Sequence, residues 1–567
     1  MCGIFCEICY SNDAIAMDDQ LFNRIQNRGP NGTNILKLSI DEGLNALFCG
    51  SVLWMQGPQP FPQPVDDHES VLLYNGDIFD ETWDRNISDT KIIMQKLSNC
   101  QEQNSEFHII QQLKLLKGPF TIIYYEKINK KIFFTRDRIG RSSLLFHRNN
   151  VSVIISNVLG RDYECVEIPA THIQVFDLTT KTIKSYPWDD KLPILDEVPL
   201  EIWLQHLQEL QNMPDDKFQF IYDNIDVVDT DGVISHIVSA AKQTNSKLDI
   251  LHKVLQHNVV QDTVFSLTKL LEKSVELRLT RQPNKCQNCL QLDGGTDHCN
   301  HCTVGILFSG GLDCTILALL ADNYVPKEQS IDLINVAFKK DNNKTYDVPD
   351  RLTGLQSLQE LQKLCPTRKW CFKEVNVSKE ELEKFQENTI GDLVYPRQTI
   401  LDESLGTALW FASRGTDSDS TSTSRVLLMG SGADELFGGY IRHRNAFKRN
   451  SWLGLNRELQ LDWKRISFRN LARDNRVICD HGRQPRMPYL DDDFTNYVLQ
   501  LKPWLRCFPS AEMTIGVGDK LMLRLVAFNL GLTEAVILPK RALQFGSRIA
   551  NNKEKGSDIS TTFIKNK

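Results

Sequence analysis

The short apolar runs of this chain change their spacing once, and that change limits the folds it can adopt. Up to about residue 190, runs such as ESVLLYNGDIF (69–79) and GPFTIIYYE (118–126) recur with turn residues between them, which is typical of antiparallel sheets. From about residue 260, strands such as VGILF (304–308) and RVLLMG (425–430) alternate with helical stretches, as in a parallel sheet covered by helices. We therefore expect two domains of different architecture.

The stretch between these regions predicts how the domains are joined. Residues 191–260 carry helical periodicity, as in EIWLQHLQEL (201–210), and we interpret them as a helical connecting region. This division gives an N-terminal domain at 2–190 and a C-terminal domain at 261–550. The polar residues 551–567 predict a flexible tail.

Charge and composition exclude several classes of protein. A net charge of -7 gives no electrostatic argument for binding nucleic acid or an anionic membrane, and no apolar run is long enough to span a bilayer. The first ten residues lack the features of a secretory signal, so we expect none. The 15 cysteines favour reduced thiols and a cytoplasmic location. We expect small-molecule substrates, and the sequence leaves the oligomeric state open, a homo-oligomer included.

A glycine-rich loop, FSGGLDC (308–314), lies between a predicted strand and a predicted helix. Gly310 and Gly311 let backbone amides approach a phosphate, and the following helix N-terminus adds positive potential. Ser309 can donate to a phosphate oxygen, and Asp313 is placed to hold Mg²⁺. No lysine stands in the G-x-x-x-x-G-K-[ST] frame, so this is not a Walker A loop. The other interpretation is a tight turn that merely needs glycines.

A second glycine-rich stretch, LLMGSGADELFGGY (427–440), follows another predicted strand and has four glycines within 430–440. Asp434 comes just after the turn, at the carboxyl end of the strand, where open α/β sheets bind ligands. Asp313 and Asp434 are therefore candidates to share one magnesium ion. The alternative role for Asp434 is to cap the helix that follows.

A cysteine cluster stands directly before the first of these loops. It contains four cysteines in a C-x₂-C-x₉-C-x₂-C arrangement: Cys286, Cys289, Cys299 and Cys302. The spacing is compatible with a tetrahedral, structural zinc site, with His298 and His301 as substitute ligands or outer hydrogen-bond partners. A surface loop in a thiol-rich protein is the other interpretation.

Together with both glycine-rich loops, several motifs resemble the glutamine-hydrolysing asparagine synthetase family. These motifs are MCGI (1–4), NRGPN (27–31), YNGDIF (74–79), SDT (88–90) and RDNRVICDHGRQPRMPYLD (473–491). The resemblance implies an α+β amidotransferase sandwich of the N-terminal nucleophile type, followed by an α/β parallel-sheet ATP-pyrophosphatase domain. It also implies a ligase that converts aspartate to asparagine through a β-aspartyl-adenylate, with ammonia from glutamine.

For the N-terminal domain, the resemblance implies a cysteine nucleophile. Removal of Met1 would leave Cys2 with a free α-amine, which can act as the base on its own thiol. The Asn75 side chain and the Gly76 N–H would hold the oxyanion, although Asn-Gly is also a strong hairpin-turn signal. By the same resemblance, two acidic residues would recognise the α-amino group of glutamine: Asp77 and Asp89.

For the C-terminal domain, the resemblance implies ATP and Mg²⁺ as ligands. It places seven residues around the nucleotide: Leu307, Ser309, Gly310, Gly311, Asp313, Phe338 and Gly430.

The chain departs from the family pattern at five places, the smallest of which is Cys314 in place of the serine that ends the first glycine-rich loop. The arginine that would clamp the glutamine carboxylate falls near Ser51, and no arginine occurs between 29 and 84. An acidic residue of the second glycine-rich loop becomes Ser431, and Gln484 replaces a glutamate. The reactive lysine becomes Ala542, with Lys540 and Arg541 as neighbouring cations.

These departures leave three hypotheses for function. The first is glutamine-dependent amide synthesis, with asparagine as the default product. The second is a nucleotide-binding regulatory or scaffold protein that has lost synthetase turnover. The third is an amidotransferase that keeps both chemistries but acts on another acid.

Overall fold

In the computed structural model, two antiparallel sheets form the N-terminal domain and one parallel sheet forms the C-terminal domain. This arrangement confirms the expected fold class. The structure describes residues 1–11, 15–100, 105–190, 193–212, 228–290, 299–339, 345–550 and 555–560. Within them, no helix has both the length and the apolar composition needed to cross a membrane.

The strands of the N-terminal domain are short and follow one another closely, as their turn-separated apolar runs predict. They are β1 (Gly3–Cys9), β2 (Thr33–Asp41), β3 (Leu44–Ser51), β4 (Val65–Asp66), β5 (Ser70–Gly76), β6 (Phe120–Glu126), β7 (Lys131–Arg136), β8 (Leu145–Arg148), β9 (Ser152–Ser156), β10 (Cys165–Glu167), β11 (His172–Asp177), β12 (Thr182–Pro187) and β13 (Leu195–Pro199). One sheet has the order β10-β8-β9-β1-β3-β2 and the other β13-β12-β11-β7-β6-β5-β4. The helices are α1 (Asp19–Arg28), α2 (Asp89–Ser98), α3 (Ser105–Lys114) and α4 (Leu200–Asn212).

The two N-terminal sheets enclose an apolar core. Alternate side chains point inward from each strand, so Ile4 and Phe48 of one sheet share a buried cluster with Leu73 and Ile123 of the other. The outer face of the second sheet is covered by apolar residues of α2 and α3. Cys2 directly precedes β1 and belongs to the apolar cluster between the two sheets.

The C-terminal domain is a five-stranded parallel sheet with the order β16-β15-β14-β17-β18. Its strands are β14 (Val304–Leu307), β15 (Ile331–Phe338), β16 (Trp370–Val377), β17 (Val426–Leu428) and β18 (Gln484–Arg486). Its helices are α5 (Val233–Gln243), α6 (Lys247–Val254), α7 (Asn258–Thr280), α8 (Leu312–Ala321), α9 (Pro349–Leu364), α10 (Lys379–Phe385), α11 (Gly391–Val394), α12 (Ile400–Arg414), α13 (Ala433–Phe437), α14 (Ile441–Ile466), α15 (Ala472–Cys479), α16 (Asp492–Gln500), α17 (Leu521–Asn529) and α18 (Leu543–Gly546). The strand order reverses between β14 and β17, which is where open α/β sheets bind ligands.

The expected connecting region at 191–260 is not a separate unit in the part of the chain that the structure describes. Its first part, β13 and α4, extends the N-terminal sandwich, because Leu200, Trp203 and Leu207 pack into that core. Its later part, α5 and α6, packs into the core of the C-terminal domain. The N-terminal domain therefore continues beyond residue 190.

The end of the chain also differs from expectation. Residues 555–560 of the expected flexible tail (551–567) lie against the start of α12. The Ile400 amide donates to Asp558 O at 2.9 Å and the Ser560 amide donates to Gln398 O at 2.8 Å. The other residues of the expected tail, 551–554 and 561–567, lie outside the described residues.

Candidate active sites

Cys2 is held at the boundary between the two domains. Its carbonyl accepts from Asn157 Nδ2 at 2.7 Å, and its Sγ lies 4.0 Å from Leu53 O and 3.8 Å from Gln63 Nε2. Burial raises the pKa of the Cys2 thiol. Neither a carbonyl nor an amide can take a proton at neutral pH, so a base for this thiol must come from elsewhere.

Met1 covers the position where that base is expected. Its amine is buried and donates to Gln484 Oε1 at 2.5 Å. Burial lowers the pKa of this amine to about 6. Removal of Met1 would instead leave Cys2 with its own free α-amine, beside its thiol.

Asn75 and Gly76 lie within β5 rather than in a hairpin turn. Asn75 pairs with Thr121 of β6 and its Nδ2 donates to Thr121 Oγ1 at 3.1 Å. A Cβ on Gly76 would lie 2.5 Å from Pro119 O, so only glycine fits where the end of β5 approaches the residues before β6. The expected oxyanion pair is therefore fixed by strand pairing.

The two candidate acidic residues have different surroundings. Asp89 begins α2, where Tyr74 donates its hydroxyl proton to Oδ2 at 2.9 Å. Burial and the charge of Asp77 raise the pKa of Asp89 to about 7. Its charge is near enough to contribute to the raised pKa of the Cys2 thiol, after burial.

Asp77 instead joins the two domains. Its Oδ2 pairs with Arg486 Nη2 at 2.9 Å and accepts from Gln484 Nε2 at 2.8 Å, while Oδ1 accepts from Gln56 Nε2 at 3.0 Å. The side chains of Asp77 and Arg486 are both 0% exposed. We therefore reassign Asp77 from substrate recognition to the domain interface.

Gln484 occupies a position where the family pattern has a glutamate. Its amide donates to Asp77 Oδ2 while its Oε1 accepts from the Met1 amine. A glutamate could not donate to Asp77 and would place a second buried carboxylate beside it, which is costly. The glutamine is thus matched to this interface.

The expected carboxylate-clamping arginine has no counterpart at Ser51. The Ser51 hydroxyl is fully buried and donates to Gly29 O at 3.1 Å. A different cation, Arg28, lies beside Cys2: its Nε is 3.4 Å from Cys2 O and its Nη2 donates to Asn475 Oδ1 at 3.0 Å. Its buried Nη1 has no hydrogen-bond partner among the described residues.

Sequence reasoning did not identify Gln63 as part of this site. Its Oε1 accepts from the Tyr74 amide at 2.7 Å, which aims Nε2 at the Cys2 thiol. A glutamine in the proline-rich stretch GPQPFPQP (57–64) carries no periodic or spacing signal. Only the return of this loop to β1 reveals the contact.

The first glycine-rich loop joins β14 to α8 at the sheet's switch point. Gly310 has φ +76°, and a Cβ there would lie 2.4 Å from Thr353 O, so glycine is required. Gly311 caps α8, and this helix N-terminus lines a cavity of about 560 Å³ through Gly311, Asp313 and Cys314. This cavity is large enough for a nucleotide or another small molecule.

Most of the predicted nucleotide residues line that cavity. They are Leu307, Ser309, Gly311, Asp313, Gly430 and Asp434. Gly310 does not line the cavity; it lies where the loop packs against the backbone of Thr353 and Gly354. Phe338 lies at the end of β15 and packs on Phe411, with ring centroids 5.9 Å apart, whereas Val336 lines the cavity. We therefore replace Phe338 by Val336 in the candidate set.

Four charged side chains form a network at the floor of the cavity. Lys520 Nζ lies 2.6 Å from Asp313 Oδ2 and 2.7 Å from Asp434 Oδ1, and Lys540 Nζ lies 2.5 Å from Asp434 Oδ2. Burial opposes ionisation of Asp434, but the two lysines hold its pKa well below the usual range. Asp434 follows Gly432, the capping residue of α13, so it is not the helix cap.

Lys520 is the residue of this network that the sequence did not indicate. It is 2% exposed and adopts φ +53° before α17. Lys520 bridges Asp313 and Asp434. Asp434 has Lys540 as a second cationic partner, whereas Asp313 has no second one among the described residues. Asp313 Oδ1 is buried without a hydrogen-bond partner in the described part of the chain. An unsatisfied carboxylate oxygen beside a phosphate-type loop fits a Mg²⁺ ligand.

Two of the departures from the family pattern also line the cavity. Ser431 and Ala542 both face it, so the acid and the lysine of the family pattern are both replaced by neutral residues. Asp350 and Glu435 are among the other carboxyl groups that line the same space. Burial raises the pKa of Asp350 to about 7, and burial with the Asp434 charge raises that of Glu435 to about 7.

The cysteine cluster is assembled differently from its expected four-cysteine form. Cys286, Cys289 and Cys299 converge with His301. Cys302 is turned away, because its thiol donates to Val304 O at 3.0 Å at the start of β14. The fourth candidate ligand is therefore His301 rather than Cys302, while His298 lies outside the described residues.

Comparisons with known proteins agree with this two-domain arrangement. Residues 1–159 match the glutamine amidotransferase domain family and residues 300–454 match the asparagine synthase family. An asparagine synthetase domain-containing protein of Drosophila melanogaster is 37% identical, covering 99% of this chain and 100% of its own length. Asparagine synthetase domain-containing protein 1 of Homo sapiens is 34% identical, covering 98% of this chain and 97% of its own length. The chain therefore belongs to the asparagine synthetase-like family of glutamine amidotransferases.

Proposed function

We propose that the chain is an ATP-dependent amide-forming ligase that takes ammonia from glutamine, with aspartate as the first candidate acceptor and asparagine as the product. The observation that carries this proposal is the convergence of Asp313 and Asp434 at a glycine-rich loop, within a cavity that has an unsatisfied carboxylate oxygen. The second domain thus keeps groups suited to Mg²⁺ and a triphosphate.

In the first step, the Cys2 thiolate attacks the side-chain amide of glutamine. The α-amine of Cys2, free after Met1 is removed, takes the thiol proton, and the departing NH₂ group leaves as ammonia. Asn75 and the Gly76 N–H are the proposed donors to the oxyanion. Water then hydrolyses the thioester to glutamate, which restores the thiol.

We expect this chain to bind glutamine more weakly than it would with an arginine paired to the glutamine carboxylate. A bidentate arginine–carboxylate pair is strong and geometrically specific, and Ser51 cannot supply one. Arg28 is the proposed partial substitute, because its free Nη1 lies in the same buried site. Asp89 is the proposed partner of the substrate ammonium group.

In the second step, the acceptor carboxylate attacks the α-phosphorus of ATP and pyrophosphate leaves. Ammonia then displaces AMP from the acyl-adenylate to give the amide. Mg²⁺, when bound, neutralises charge on the triphosphate; Asp313 Oδ1 is its proposed ligand. Glu435 and Asp350 are candidates to accept the ammonia proton, because their pKa values near 7 suit a base at neutral pH.

A second function, nucleotide binding without turnover, rests on a specific observation. Both cavity positions that carry an acid and a lysine in the family pattern are neutral here, Ser431 and Ala542. Their joint replacement removes one charge of each sign. The net charge of the cavity is therefore unchanged, but a general base and a cation are lost. Such a change would affect acyl transfer more than ATP binding.

Product analysis separates these functions. With ATP, Mg²⁺, glutamine and aspartate, the purified chain is expected to release AMP, pyrophosphate and glutamate in equal amounts together with asparagine. Omission of aspartate should stop AMP release, and a panel of other carboxylic acids tests the alternative acceptor. Saturable ATP binding with no AMP release for any acid would overturn the ligase and support the nucleotide-binding function.

The pH dependence of glutamine binding tests the role of Asp89. Its pKa is raised to about 7, so the carboxyl is neutral below that pH and can pair with an ammonium group only above it. The KM for glutamine is therefore expected to fall as the pH rises through about 7 and then to level off. Initial glutaminase rates between about pH 5.5 and 8 would measure this profile.

Two variants serve as controls for that profile. Asp89→Asn is expected to keep the KM at the high wild-type value of low pH across the whole range and so to remove the inflection. Tyr74→Phe removes a hydrogen bond that favours the charged carboxylate, so it should move the inflection to higher pH. An unchanged inflection in Asp89→Asn would contradict the assignment.

A further inference from the structure

The segment between α7 and β14 brings four metal-binding side chains together outside both candidate active sites. The three cysteine sulfurs and one imidazole nitrogen of Cys286, Cys289, Cys299 and His301 all lie within 4.8 Å of one another. None of the four lines the nucleotide cavity. Their convergence therefore needs an explanation that the proposed reaction does not supply.

The distances within the cluster suit tetrahedral coordination. His301 Nδ1 lies 3.2 Å from Cys289 Sγ and 3.7 Å from Cys286 Sγ. With Zn–S bonds of about 2.3 Å and Zn–N bonds of about 2.0–2.1 Å, a tetrahedral ion holds sulfur and nitrogen roughly 3.6 Å apart. A disulfide would use two thiols only and would give the imidazole no role.

Backbone amides also point at the sulfurs. The Cys286 amide donates to Cys299 Sγ at 3.1 Å and the Cys289 amide donates to Cys286 Sγ at 3.5 Å. Such donors stabilise negative charge on sulfur, and thiolates rather than thiols bind zinc. The loop backbone is thus arranged around charged sulfur atoms.

We propose that Cys286, Cys289, Cys299 and His301 bind one Zn²⁺ as a structural Cys₃His site. Three thiolates and one imidazole are the soft ligands that tetrahedral zinc prefers. Four protein ligands leave no open position, so this ion does no chemistry on substrate.

The position of the site indicates what the metal stabilises. The Gln287 amide donates to Thr423 O at 3.0 Å, and the Gln329 side chain donates to Cys299 O at 2.9 Å. Gln287 Nε2 also reaches His481 O at 3.1 Å. Thr423 precedes β17, and Gln329 precedes β15. The segment that carries the proposed zinc ligands therefore stabilises the amino-terminal edge of the parallel sheet. The glycine-rich loops extend from the opposite, carboxyl ends of β14 and β17 in the same sheet.

Metal analysis of the full-length chain tests the proposal. Protein purified from zinc-supplemented cells under reducing conditions is expected to hold one equivalent of zinc, measured by elemental mass spectrometry. Cys289→Ser and His301→Ala should each reduce zinc to the level of a metal-free control protein. Chelation should also lower the midpoint of thermal unfolding, because the ion binds the folded state.

Two further variants make the ligand assignment specific. Cys302→Ser keeps a donor for Val304 O and should retain the full equivalent of zinc. His301→Cys should also retain zinc, because a fourth thiolate can replace the imidazole, which separates ligand loss from misfolding. Wild-type protein without zinc would overturn the proposal. So would loss of zinc in Cys302→Ser together with its retention in His301→Ala.

Discussion

Replacement of Cys2 by alanine is expected to lower glutamine hydrolysis by about 10³-fold or more, because the substitution removes the only atom that forms the covalent intermediate. Synthesis supported by ammonium salts should continue, since the proposed nucleotide cavity lies in the other domain and does not include Cys2. Glutamate release and AMP release, measured with glutamine and then with ammonium chloride, would report the two activities separately.

Cys6→Ala is the matched control for that substitution. Cys6 lies on β1, which begins directly after Cys2; it is fully buried in the same core, and burial raises its pKa. Glutaminase activity per folded molecule should survive in Cys6→Ala. Undiminished glutamine hydrolysis in Cys2→Ala would contradict the nucleophile assignment.

The same assignment predicts the state of the N-terminus. The Cys2 thiol contacts a carbonyl and an amide, neither of which is a base, so its own α-amine must be free to take the proton. Intact-mass measurement of active protein should therefore show that Met1 has been removed. Full glutaminase activity in molecules that retain Met1 would exclude this mechanism.

The sequence predicted the parts of each site that lie close together in the chain. The residues around Cys2, the Asn-Gly pair and both glycine-rich loops carry local patterns with a clear physical meaning. Strand spacing likewise predicted the change from antiparallel to parallel sheets, because side-chain periodicity is a local property.

The rest of the two sites depends on contacts between distant segments. Lys520 follows Asp313 by more than two hundred residues and bridges it to Asp434 only because α17 packs beside both loops. Similarly, Asp77 looks like a substrate ligand until β18 of the other domain places Arg486 against it. Nothing in either local pattern indicates such a partner.

The fold also decides two assignments that residue spacing leaves open. Cys302 and His301 are adjacent, and the start of β14 turns the cysteine inward and leaves the imidazole in the cluster. Helix α4 has the apolar spacing of any amphipathic helix, and only the packing of Leu200, Trp203 and Leu207 assigns it to the N-terminal domain. Periodicity predicts a buried face but not which core receives it.

Asp313→Asn is expected to lower ATP-dependent AMP release by at least about 100-fold. A metal ion contributes several kcal/mol to stabilising a phosphoryl-transfer transition state, and each 1.36 kcal/mol corresponds to a factor of ten. The substitution removes the negative charge from the unsatisfied oxygen and from the partner of Lys520. Rates measured over a range of Mg²⁺ concentrations would give the size of the effect.

Asp322→Asn separates loss of the metal ligand from loss of a buried charge. Asp322 ends the same helix, α8, and pairs with Lys327 and Arg368. Its substitution should lower stability, since it leaves buried Arg368 without its ion-pair partner, yet turnover per folded molecule should persist. Asp313→Asn should instead bind ATP equally with Mg²⁺ and with a chelator. A Mg²⁺ dependence that is unchanged in Asp313→Asn would remove Asp313 from the proposed metal site under either proposed function.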